Sequence, residues 1–143
     1  MQRTSHRYLQ VDVFADRPGA GNPLAVITDA RGLTDIEMQQ VAAEFGYSET
    51  TFVLPASDPA NTAEVRIFTP VTEVPFAGHP NVGTAYVLGR QPEIFGRAPG
   101  DTLRQLVETL SHTAAIAISK HREKQALRDS QAGHCTRPSC PIL

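Results

Sequence analysis

The sequence predicts a mixed α/β fold, and three observations carry that expectation. Short β-type runs alternate with helical patterns in the order β-β-α-β-β-α. The first helical run has both a start and a stop signal. The composition, 41% hydrophobic and 20% charged over 143 residues, is that of an ordinary globular chain.

Tyr8–Phe14 alternates, with Leu9, Val11 and Val13 on one face, which predicts a strand. Asp16–Pro23 is a Gly/Pro/Asn loop, and Leu24–Thr28 is a short apolar strand. Thr34 opens a helix with a T-x-x-E capping box to Glu37. Met38, Val41, Ala42 and Phe45 then recur at helical spacing as a core-facing stripe, and Gly46 suits the C′ position. Thr51–Leu54 and Glu64–Phe68 read as further strands. Gly78-His79-Pro80 opens a second helix to about Leu88, with Pro80 suited to the first helical position.

Three clusters could carry chemistry. Asp12-Val13-Phe14 followed by Gly21-Asn22-Pro23 is either a ligand-facing turn or only a tight connection. Glu49, in Ser48-Glu49-Thr50, is either a solvated loop acid or a carboxylate shielded by Tyr47 and Phe52. Such shielding suits a carboxylate to proton shuttling. Gly78 and His79 sit at a predicted helix N-terminus, where free backbone N–H groups favour a carboxylate or phosphate. His79 there could exchange a proton near neutral pH, or could be a structural histidine.

In this order the clusters resemble the N-terminal half of the phenazine-biosynthesis PhzF-like family, over about Tyr8–Arg90. The markers are Gln10-Val11-Asp12-Val13-Phe14, Gly21-Asn22-Pro23, Ser48-Glu49-Thr50-Thr51-Phe52-Val53, Arg66-Ile67-Phe68-Thr69-Pro70 and Pro75-Phe76-Ala77-Gly78-His79-Pro80. The resemblance implies one half of the two-domain diaminopimelate epimerase-like fold, with the substrate cleft between the domains. It implies cofactor-independent isomerisation or epimerisation of a small carboxylate substrate, with Glu49 as general acid/base and His79 beside it. Gly78, Asn22, Pro80 and Asn81 would bind the substrate. It also suggests a homodimer. The second domain of the family would supply an aspartate and other groups on the opposite wall.

The composition breaks near residue 100. All nine aromatic residues precede it, as do nine of eleven prolines. Both lysines, Lys120 and Lys124, and both cysteines, Cys135 and Cys140, follow it. The expected organisation is a domain over residues 1–100, a helical segment over 101–132 that departs from the family pattern, and a flexible tail over 133–143. Asp101 would cap that helix, and Leu103, Leu106, Val107, Leu110, Ala114 and Ala117 would form its stripe. Two explanations compete: a reading-frame shift or rearrangement near Asp101–Gln105, or a true variant whose helical tail serves dimerisation. With one wall of the cleft, the chain could equally be a silent domain that binds a small acid or a protein partner.

Other classes find little support. A formal charge of −2 disfavours nucleic acid. No apolar run approaches a membrane span and no signal peptide is visible, so a cytoplasmic location is expected. Cys135 and Cys140, with His134 and His121, lack the spacing of a zinc site, so no metal is expected. His112 and His121 read as solvated, and no nucleotide-binding glycine motif is present.

Overall fold

A computed structural model describes residues 5–17, 19–105 and, for their backbone pairing alone, 125–127. The described elements are β1 (Ser5–Val13), β2 (Asn22–Ile27), α1 (Asp35–Phe45), β3 (Thr50–Leu54), β4 (Glu64–Phe68), β5 (Glu73–Val74), α2 (Gly78–Gly89) and β6 (Gln125–Leu127). One sheet takes the strands in the order β5-β4-β3-β2-β1-β6. β2 and β3 run parallel and every other neighbouring pair is antiparallel.

The sheet is covered on both faces, because alternate residues of its central strands are apolar on both sides. Tyr8, Ala25, Ile27, Phe52 and Phe68 pack with Met38 and Ala42 of α1. Val11, Val13, Leu24, Val26 and Val53 pack with Val87 and Leu88 of α2. β3 shows the alternation directly: Phe52 joins the first cluster and Val53 the second.

Both ends of α1 follow from its sequence. Glu37 N–H donates to Thr34 Oγ1 at 3.4 Å, and Thr34 N–H donates to Glu37 Oε2 at 2.7 Å. The helix stops at Gly46, which adopts a left-handed conformation with φ 64°. Close approach governs α2. A Cβ on Gly83 would lie 2.6 Å from Leu24 Cδ2 and 2.7 Å from Val13 Cγ2, so a glycine lets this helix press onto the sheet.

Several boundaries move. β1 starts at Ser5 and ends at Val13, because Phe14 turns into left-handed backbone with φ 59°. β2 begins at Asn22, where it pairs with Val13. Pro80 is the third residue of α2 rather than its first, still within the turn where a missing N–H costs nothing. β5 was unexpected. Thr69 makes the tight turn before it: its N–H and hydroxyl both donate to the Thr72 carbonyl, at 2.8 and 2.9 Å.

Residues 101–105 are helical, but Gly100, not Asp101, accepts the first helical hydrogen bonds, from Leu103 and Arg104. Gln125–Leu127 form a strand where a helix was expected. They pair with Ser5–Arg7, whose outer backbone groups need partners. The expected stripe residues Leu106, Val107, Leu110, Ala114 and Ala117 lie outside the described residues, as do His112, Lys120, His121, Lys124, the two cysteines and the expected tail.

Candidate active site

The strand register gathers the candidate residues at one end of the sheet. β1 ends where β2 begins, with Val13 opposite Asn22 and Asp12 opposite Pro23. Parallel pairing of Ala25 with Thr50 brings Ser48 and Glu49, on the run into β3, to the same end. α2 starts there too, so His79 reaches Asn22 and Glu49 across the chain.

Glu49 Oε2 lies 3.2 Å from His79 Nδ1. Both side chains are mostly buried, 19% and 11% exposed. The contact is close but lies off the line of a hydrogen bond, so Glu49 Oε2 remains buried without a hydrogen-bond partner. His79 Nε2, on the other side of the ring, is likewise buried and unpartnered. Two orphaned polar atoms in one small site are costly unless a ligand satisfies them.

Asn22 and Ser48 extend the cluster. Ser48 Oγ donates to Asn22 Oδ1 at 3.0 Å, and Asn22 Nδ2 lies 3.4 Å from His79 Nδ1. Burial pushes the His79 imidazole below its ordinary value of 6.5, because an imidazolium loses more hydration than a neutral ring. The Glu49 carboxylate and the Pro23 carbonyl oppose that shift, both favouring a proton on the ring.

The start of α2 adds open backbone donors. Its N-cap is Ala77, whose side chain cannot cap, and Gly78 is exposed. A Cβ at Gly78 would meet no protein atom within 4 Å, so this glycine leaves space rather than filling a packing need. The first-turn amides of Gly78 and His79 find no acceptor inside a helix.

The expected site residues therefore separate. Asn22, Glu49 and His79 come together, and Gly78 precedes His79 in the chain. Pro80 is fully buried, which gives it to the helix–sheet packing rather than to a ligand-facing surface. Asn81 is half-buried, and its N–H is taken by the Ala77 carbonyl at 3.3 Å. Asp12 is buried and accepts from the Gly19 N–H, which ties down the loop after β1. Ser48 and the Pro23 carbonyl were not singled out as site groups. Their position beside Asn22 and Glu49 in the motifs was the available signal.

A two-faced α/β sheet with a carboxylate–imidazole pair at a helix N-terminus is an arrangement suited to acid/base chemistry on small anions. The chain belongs to the PhzC-PhzF family, described as phenazine biosynthesis-like protein, which matches residues 11–133. That match runs past residue 100.

Among its relatives, an uncharacterized isomerase of Mesorhizobium japonicum is 54% identical over 117 residues, 82% of this chain and 37% of the relative. The trans-2,3-dihydro-3-hydroxyanthranilate isomerase of Pseudomonas aeruginosa is 44% identical over 120 residues, 83% of this chain and 40% of the relative. The chain thus spans well under half the length of either. A PhzF-family phenazine biosynthesis protein of Enterococcus faecalis superposes with a TM-score of 0.57 at 34% identity, covering 64% of this chain and 34% of that one. The Bacillus anthracis PhzF-family protein gives 0.54 at 40% identity, over 59% of this chain and 28% of that one.

Proposed function

We propose that this chain carries the proton-transferring wall of a cofactor-independent isomerase acting on a small carboxylate, with Glu49 as general acid/base. A C–H proton passes to the Glu49 carboxylate, and the electron pair it leaves moves into the adjoining unsaturated system. The proton on Glu49 exchanges with water, and Glu49 then protonates another carbon, so no oxidant or reductant enters. His79 lies beside this transfer, Asn22 orients the imidazole, and the Gly78 and His79 amides receive the substrate carboxylate. The observation that carries the reading is the contact of Glu49 Oε2 with His79 Nδ1 at 3.2 Å, with Glu49 Oε2 and His79 Nε2 both buried and unpartnered. The names of the isomerase relatives support the reaction class, and one of them suggests trans-2,3-dihydro-3-hydroxyanthranilate as the first substrate to try.

The test is steady-state isomerisation of that acid by the chain and by Glu49→Gln, with binding measured in parallel. The expected result is a loss of about 10²–10⁴-fold in kcat with binding retained, the span general acid/base groups supply. Turnover that survives Glu49→Gln would remove Glu49 from the mechanism. Binding without turnover in the unaltered chain would favour a carboxylate-binding domain instead.

A further inference from the structure

The proton on His79 can sit on either ring nitrogen, and its surroundings distinguish the two. Around Nδ1 stand the Glu49 carboxylate oxygen at 3.2 Å and the Asn22 amide at 3.4 Å. The first is an electron-rich oxygen. A bare lone pair on Nδ1 would face it, whereas an N–H there is attracted by it. Asn22 accommodates the same choice. Its amide oxygen and nitrogen exchange places on turning over, so the oxygen can face the ring while its NH₂ donates to Ser48 Oγ. Nε2 lies buried and without a partner.

We propose that Glu49 holds the resting His79 ring with its proton on Nδ1, which leaves Nε2 as a second proton acceptor in the site. This rests on the reading of the site as an acid/base centre, and it divides the labour within it. Glu49 and Nε2 present two acceptors from different positions. One can take a proton from a substrate carbon while the other takes or returns a proton elsewhere on the same molecule. Both Glu49, on the run into β3, and Pro23, in β2, act on the ring in the sense that holds a proton there, and burial opposes its full protonation. The ring therefore rests neutral above its lowered pKa, with one proton to place.

Nitrogen-15 NMR of the imidazole-labelled chain at about pH 8 reads the tautomer without any substrate. His79 is assigned by the signals lost in His79→Gln. The expected spectrum has a protonated Nδ1 and an unprotonated Nε2. In Glu49→Gln, whose amide can also donate to Nδ1, the Nδ1–H population should fall and Nε2–H should rise. A proton on Nε2 in the unaltered chain would overturn the proposal. An unchanged tautomer in Glu49→Gln would overturn the part assigned to Glu49. Absence of isomerisation alongside a retained Nδ1–H would instead count against the proposed reaction and leave the tautomer standing.

Discussion

Glu49 and His79 derive their chemistry from where three backbone segments end, and their neighbours set the terms. Burial lowers the His79 pKa, so the folded protein binds fewer protons than the unfolded chain between that value and the ordinary 6.5. Stability should therefore be full above about pH 6.5 and should fall as the pH drops through the lowered folded value. Denaturant midpoints measured from pH 8 to pH 5 should show this decline, and His79→Gln should reduce it. Gly78 makes a separate prediction. Because its Cβ position is empty, Gly78→Ala should leave the melting temperature nearly unchanged while weakening carboxylate binding, as calorimetric titration would show. Glu49, His79, Gly78 and Asn22 were legible as motif residues. Pro80 and Asn81 were legible only as members of the same motif, and which residues of a helix's first turn face inward depends on packing that a motif does not contain. Ser48 acts through its hydrogen bond to Asn22 and Pro23 through its backbone carbonyl, partners that only the folded register supplies.

At the scale of elements, α1 was legible at both ends because its signals are local. The capping box is a four-residue device, and Thr34→Ala should cost about 1 kcal/mol by chemical denaturation. α2 is different. Its start is set by three neighbouring motif residues, but its depth against the sheet is set by Gly83 meeting Leu24 and Val13, partners far away in sequence. Gly83→Ala should overpack that contact and cost about 1–3 kcal/mol, measurable as a lower denaturation midpoint with unchanged cooperativity. β5 and β6 escaped notice because two- and three-residue strands carry no periodicity to read. They form on edges whose backbone groups seek partners. Arg66 reinforces the first of those edges. It donates to Glu73 of β5 and to Asp35 of α1, which raises its own pKa and holds Glu73 below the usual carboxylate range.

Across the molecule, one sheet with a helix on each face fixes where the chemistry lies: at the end where β1 stops and β2, β3 and α2 begin. That class was legible from the order of strands and helices, since each pattern is local. The sheet order was not, because it depends on pairings between distant segments. The same end carries exposed apolar side chains. Phe14 follows β1, Phe76 precedes α2 and Val71 lies in the turn after β4, and they are 59%, 73% and 85% exposed. Apolar groups presented to water in this way favour association. Light scattering should accordingly show mass rising with concentration, and Phe14→Ser with Phe76→Ser should suppress the rise. Glu49-dependent proton transfer at this end of the sheet can be followed by mass spectrometry of trans-2,3-dihydro-3-hydroxyanthranilate and its isomer recovered after incubation with the chain in deuterium oxide. Deuterium should appear on carbon and should require both the chain and Glu49. Carbon that stays free of deuterium, or deuterium that appears equally with Glu49→Gln, would contradict that transfer.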